Sequence, residues 1–234
     1  MKVVISQSMY FPWVGLLEQV KLADIFIHYD DVQFTRGFYN RVQIKTSNGI
    51  RWLTVPLLNY HRGQKIDQVL IDNKKNWRQQ HREILRQSYF LAPYREDMLA
   101  LVDDVFSREL HTVADVSRGS LLSLSEYFNL SSDTIFRDSK ELGISGARSQ
   151  RLLDICISLN CDTYVTGHGA INYLDHKLFG LSQINVEYMK YKRTSYPQLH
   201  GEFTPYVTAL DLVANCGKGG ARKIHSNSVN WKEF

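Results

Sequence analysis

The apolar positions of this chain fall into two patterns. Short runs, rich in β-branched and aromatic residues, recur at wide intervals: "KVVIS" (2–6), "DIFIHY" (24–29), "DTIFRDS" (133–139), "DTYVTGH" (162–168) and "INVEYMKY" (184–191). Runs of this length and composition read as buried strands. Between them, apolar residues repeat at helical spacing. "WVGLLEQVKLA" (13–23) places Leu16, Leu17, Val20 and Leu22 in this way. The same reading gives helices in "NWRQQHREILRQSYF" (76–90), "PYREDMLALVDDVF" (93–106), "VADVSRGSLLSLSEYF" (113–128), "GARSQRLLDICISLN" (146–160) and "TALDLVANCG" (208–217). Asn76 or Asp72 is the expected cap of the first of these, Pro93 marks the start of the second, and Gly217 is the expected stop of the last.

The period changes in "RVQIKTS", "RWLTVPLL" and "IDQVLID". There it shortens to two, and Ser47-Asn48-Gly49 gives a turn signal. The order of elements predicts an α/β fold: a doubly wound, mostly parallel, Rossmann-like sheet with a small antiparallel β insertion and a helical insertion. Residues 2–6, 25–29, 134–138, 162–166 and 184–190 are expected in one sheet. Residues 1–217 are expected to form a single domain with its insertion at 41–130, antiparallel over 41–72 and helical after that. Residues 218–234, basic and glycine-rich, are expected to be a mobile tail.

Composition narrows the classes. Of 234 residues, 44% are hydrophobic and 22% charged, which supports a packed core. A net charge of +4 favours anionic ligands mildly and makes no case for nucleic acid. Three cysteines without a CxxC signal neither a disulfide framework nor a zinc site. No apolar run approaches the ~20 residues of a membrane span. The start "MKVVISQSMYFPW" is too short for a signal peptide, so the expected compartment is the cytoplasm.

Ligands of such sheets bind beyond the carboxyl ends of the strands. Three loops qualify. The first, "QSMYFPWVG", holds Gln7, Tyr10, Trp13 and Gly15; the second, "DDVQF", holds Asp30, Asp31 and Gln33; the third, "TGHGA", holds Gly167 and His168. Asn40, Arg41 and Lys45 follow the second loop. Carboxylates beside cations can act as bases or hold a divalent cation, while the cations take phosphate or carboxylate oxygens. An aspartate pair after a strand can also be a plain turn or helix cap. His168, between glycines, is a candidate acid, base or anion donor, or simply a turn histidine. His81 lies four residues after Trp77 and so shares its helix face, as a site residue or a half-buried helical one. "GISGARSQRL" resembles the ISGxxxR stretch of HxGH-type nucleotidyltransferases, but residues 11–15 lack both signature histidines. "LNCDTYVTGHGA" resembles the closing strand of PP-loop ATP pyrophosphatases, without their front loop. Neither a Walker-type phosphate loop nor GxGxxG is present.

Taken in order, "SQSMYFPWVGLLEQVKLADIFIHYDDVQF", "NRVQIKTSNGIRWLTVPL", "NWRQQHREILRQSYFLAPY", "YVTGHGAINYLD" and "FTPYVTALDLVANCG" resemble the WbqC-like family of bacterial proteins. Pro12, Thr54, Pro56, Trp77 and Tyr94 complete the set of matching residues. The resemblance implies a place in surface-polysaccharide (O-antigen) biosynthesis. It carries no role for His168. The expected activity is a transferase that moves an acyl or aminoacyl group to a nucleotide-linked amino sugar. The expected partner is thus a small anionic substrate, a nucleotide sugar or activated donor. Arg41 and Lys45 would hold phosphate, Asp30 or Asp31 would be base or metal ligand, and Tyr10 and Trp13 would stack on a base or sugar. The alternatives are a non-catalytic scaffold for polysaccharide enzymes, or a nucleotidyltransferase-like enzyme without the usual histidines. Adjacent strand residues face opposite ways, so one aspartate is expected to enter the crevice toward Lys45 or Arg41 while the other braces a loop.

Overall fold

The computed structural model describes residues 1–225 and 227–234. Its centre is a six-stranded sheet in the order β10-β9-β8-β1-β2-β7, with β1 Lys2–Ser6, β2 Ile25–His28, β7 Ile135–Asp138, β8 Thr163–Thr166, β9 Asn185–Met189 and β10 Ser228–Asn230. The first five pair in parallel and β10 runs antiparallel to β9. The five runs expected in one sheet all lie in it. The fold is mixed α/β with a mostly parallel central sheet.

The inner strands β1, β2 and β8 are buried on both faces, which explains their nearly continuous apolar runs. Val3 and Ile5 of β1 join Ile25 and Ile27 of β2 and Val186 of β9 on one side. There they meet Leu152, Leu153 and Cys156 of α5 (Arg148–Ser158) and Phe179 of α6 (His176–Leu181). Val4, Phe26 and Val165 point the other way, into a larger core with α1 (Val14–Leu22), α2 (Trp77–Ser88), α3 (Arg95–Ser107), α4 (Val113–Tyr127) and α7 (Ala209–Cys216).

The segment between β2 and β7 contains small antiparallel pieces and three of the seven α-helices seen among the described residues. Strands β3 (Arg41–Thr46) and β4 (Gly49–Thr54) form a hairpin whose turn uses Gly49 at φ +96°. A two-residue pair, β5 (Leu57–Leu58) and β6 (Leu70–Ile71), follows. Helix α4 begins with a capping box: Thr112 accepts from the Asp115 N–H at 3.1 Å, and Asp115 accepts from the Thr112 N–H at 2.7 Å. Asn76 does sit at the N-cap of α2, but its side chain donates to Gln79 instead of capping. Gly217 ends α7 at φ 55°.

The periodicity did not reveal α6. Six residues are too few to display a 3.6-residue repeat, and its signature is local: the Asp175 carboxylate accepts from the N–H groups of Lys177 and Leu178. Residues 218–234, expected as a mobile tail and including Ser226 outside the described residues, carry a 3₁₀ stretch and then β10. Trp231 stacks on His176 and Phe234 on Tyr188, with centroids 4.5 and 4.7 Å apart. Among the described residues, no helix is long and apolar enough to cross a membrane.

Helix α1 buries an acid. Glu18 is 2% exposed and its Oε2 has no partner among the described residues. Burial pushes this carboxyl up to about 7, against the pull of the His225 backbone N–H and Lys21. A carboxyl raised in the native state stabilises the fold most below its ordinary value of 4.5, and that contribution fades as pH rises to 7. Glu18→Gln is therefore expected to gain on the wild type across this window, by up to about 3 kcal/mol at pH 8. Urea unfolding at pH 4.5 and 8 measures the difference; a gap between the two proteins that does not change with pH would contradict it.

Candidate functional site

The carboxyl ends of β1, β2, β7 and β8 open on a cavity of about 1070 Å³. Its floor includes Ile5 of β1, Gln7 just past β1 and Asp31 just past β2. Tyr29, Tyr164 and Tyr173 supply aromatic wall. One side is the loop "GISGAR", residues 143–148, which leads into α5. Gly143 and Gly146 hold φ of +65° and +110°, values that side-chain-bearing residues rarely adopt. Arg148, the first residue of α5, also has a positive φ of 55°. Its exposed side chain lines the cavity with those of Lys65 and Lys140. Ala147 at the N-cap offers no side-chain acceptor, so the positive end of α5 meets the cavity without a cap.

Asp31 and Arg151 organise this wall. Asp31 accepts from the Ser139 hydroxyl at 2.6 Å and from an Arg151 Nη. Arg151 also donates Nε–H to the Ile144 carbonyl at 3.0 Å and lies 4.9 Å over the Tyr29 ring. One guanidinium thus joins the loop after β2 to the glycine loop. Burial alone would raise the Asp31 carboxyl, but the Arg151 and Ser139 hydrogen bonds outweigh it and hold it below the ordinary value.

Asp30, one residue earlier, faces the opposite way and is fully buried. It accepts from the Ser8 N–H and hydroxyl, both at 2.8 Å, and from Arg118 Nε at 2.6 Å. Burial pushes this carboxyl up, and Arg118 and Ser8 oppose it. Three converging donors describe an ionised carboxylate. Since the Ser8 proton goes to Asp30, His28 Nδ1 must be the donor in its 2.8 Å contact with Ser8. Burial lowers the His28 imidazole to about 4, so it is neutral there.

The sequence profile of the WbqC-like protein family matches residues 7–223. The chain belongs to this family. It is also 34% identical over 222 residues to the uncharacterized protein Rv1507c of Mycobacterium tuberculosis (strain ATCC 25618 / H37Rv), which covers 92% of this chain and 94% of that protein. No solved structure matches.

Of the site residues expected from sequence, the WbqC-like fold brings Gln7, Asp31 and Gln33 to the cavity. The others lie elsewhere. Tyr10 is fully buried, with its hydroxyl 2.9 Å from His81 Nδ1 in the larger core. Burial lowers His81 to about 4. Trp13 packs on Tyr191 and Tyr206. Gly15 lets the Trp13 ring lie on α1, since a Cβ there would fall 2.2 Å from a ring atom. Lys45 and Arg41 do not face the aspartates, because β3 belongs to the separate hairpin and not to the main sheet. The buried Lys45 ammonium donates to the Gly201 and Glu202 carbonyls and to Gln198. Arg41 lies over Trp52, and Asn40 donates to the Val55 carbonyl. His168 contacts the Met189 carbonyl at 2.6 Å and packs between Tyr191 and Phe234. A Cβ on Gly167 would press on the Tyr191 hydroxyl at 3.2 Å.

Sequence reasoning missed Lys65, Arg118, Ser139, Lys140, Arg148 and Arg151. The glycine spacing of "GISGAR" was the available signal for the last two. Arg118 had none, because its partners lie 88 and 20 residues away. No group of three or more His, Cys, Asp or Glu side chains fit to hold a metal occurs among the described residues.

Asp30 and Asp31 are expected to respond differently to amidation. Asp30→Asn leaves Arg118 poorly compensated in a buried place and is expected to cost about 3–5 kcal/mol in urea unfolding. Asp31→Asn should cost less at neutral pH. It should also remove part of the acid sensitivity: a depressed native pKa contributes stability above the ordinary 3.8, and that is lost as pH falls through the native value. Equal losses from the two variants would contradict this division.

Proposed function

We propose that this cavity binds the phosphate of a nucleotide-linked sugar or another activated anionic donor. We further propose that the protein is a transferase of surface-polysaccharide biosynthesis that moves an acyl or aminoacyl group to a nucleotide-linked amino sugar. One observation carries the reading: a glycine loop delivers an uncapped, positive helix end to a large cavity that also collects Lys65, Lys140 and Arg148. The strand order supports it. Connections from β1 run toward β2 and β7, and the chain then returns to the other side of β1 for β8 and β9. We read this as the doubly wound, Rossmann-like arrangement, in which ligands sit at that reversal. The pathway comes from what the family resemblance implies.

In this reading the glycine loop and its cations hold phosphate, and the tyrosines flank the base or sugar. Asp31 is a positioning residue, since both its oxygens are engaged in holding Arg151 and Ser139. That same engagement favours a second reading, a non-catalytic binding module, because none of the described residues that line the cavity is a histidine that could replace it as base.

Calorimetry and thermal shift with UDP-linked amino sugars and with UMP test the binding. A ligand at 100 times its Kd should add about 2.7 kcal/mol to stability. Arg148→Ala and Lys65→Ala should each weaken it several-fold, and both side chains are exposed, so the fold should survive. Absence of any shift, or full affinity in both variants, would sink the anion site. If sugars bind and mass spectrometry finds no acylated or aminoacylated product from thioester or aminoacyl donors, the binding module replaces the enzyme.

A further inference from the structure

A second cavity, of about 410 Å³, lies at the base of the β3–β4 hairpin. Arg36, Asn40, Arg41, Thr54, Leu57 and Tyr60 are among its walls, and none of the described residues that line it is acidic. Two of these residues are unfinished. Asn40 is only 4% exposed, yet among the described residues its Oδ1 has no hydrogen-bond partner, and neither has the buried Nε of Arg41. Buried polar atoms are normally paired, and each one left over calls for an explanation.

The geometry around both is fixed. The amide nitrogen of Asn40 donates to the Val55 carbonyl at 3.1 Å. A carbonyl can only accept, so the amide cannot be reversed and Oδ1 is the atom left free. The Arg41 guanidinium lies 4.4 Å over the Trp52 ring, which holds the group in place. One acceptor and one charged donor, each nearly closed to water, therefore belong to neighbouring residues of one cavity wall. The two arginines make that cavity positive. A bound partner must bring an anionic acceptor for Arg41 and, next to it, a donor for Asn40. A planar carboxylate matches the edge of a guanidinium. Val55, Pro56 and Leu57 offer apolar surface to whatever the carboxylate carries.

We propose that this cavity binds a small carboxylate with an N–H or O–H donor on its α-carbon, as in an α-amino or α-hydroxy acid. The carboxylate accepts from Arg41 Nε–H with Arg36 beside it, and the α-substituent donates to Asn40 Oδ1. The site uses none of the residues of the larger cavity, so it stands without the nucleotide-sugar reading.

The test is a titration of the isotope-labelled full chain with L-alanine, L-serine and L-lactate, followed by NMR at the Asn40 side-chain amide and the Arg41 Nε–H. At least one of the three is expected to shift both signals saturably. Ethylamine lacks the carboxylate and propionate lacks the donor, and each should bind at least about tenfold more weakly, the size of one lost charged or buried hydrogen bond. Arg41→Ala should abolish binding. Arg36→Ala changes an exposed residue, leaves the fold intact and should weaken binding several-fold. The proposal is overturned if none of the three acids shifts these signals. It is overturned as well if ethylamine, propionate or inorganic phosphate binds as tightly, or if Arg36→Ala keeps full affinity. None of the probes carries a nucleotide, so failure here and failure at the larger cavity are read separately.

Discussion

The guanidinium of Arg118 is the point on which the carboxyl edge of the sheet depends. It comes from α4, in the segment between β2 and β7, and it bonds to Asp30 after β2 and to Asp138 at the end of β7. Through Asp30 it also holds Ser8, which follows β1. Three neighbouring strand ends are thus tied by one side chain. Parallel strands share no tight turns, so nothing in their own connections aligns those ends. The ion pair has little water around it, with Asp30 at 0% side-chain exposure, and a charge so placed cannot lose its partner without a large penalty. The segment that looks like an interruption of the sheet is what completes it.

Asp31 repeats the arrangement one residue later and one layer outward. Its arginine comes from α5 on the other face, and its pair borders the cavity. The alternation of side chains at the end of a strand turns two identical residues to two surroundings. The inner pair fixes the strands, and the outer pair fixes the glycine loop against them. The fold and the cavity are therefore specified by neighbouring, separable interactions.

The inner strands were legible because they are buried on both faces and announce themselves in a few residues, as "KVVIS" and "TYVT" do, whereas the half-buried β10 offers no such run. The long helices were legible from their period. Helix α6 was not, since six residues hold less than two turns. The site was legible in part. Position along the strands led to Gln7, Asp31 and Gln33, because the ends of parallel strands converge whatever the side chains are. Proximity in sequence misled for Arg41 and Lys45: the chain leaves the sheet after Asp31, and β3 takes both residues into the hairpin. The true partners of the aspartates come from 88 and 120 residues away, a distance over which no local pattern carries information.

Strand β1 is also one of the two central strands. Residues Val3 to Ser6 pair with β2 on one side, and Lys2 to Val4 pair with Thr163 to Val165 on the other. A ribosome makes β1 before β2, and its second neighbour some 135 residues after His28, the difference between Thr163 and that residue. At usual elongation speeds that interval is on the order of ten seconds. Helices form in about a microsecond, so α1 to α4 can assemble against one face during the wait. The open edge of β1 and its second face must remain uncovered until β8 and α5 emerge. A two-stranded piece is marginal alone. The emerging polypeptide therefore carries an adhesive strand edge through a long stretch of its synthesis, and its yield in a cell should depend on how well nascent chains are shielded from one another.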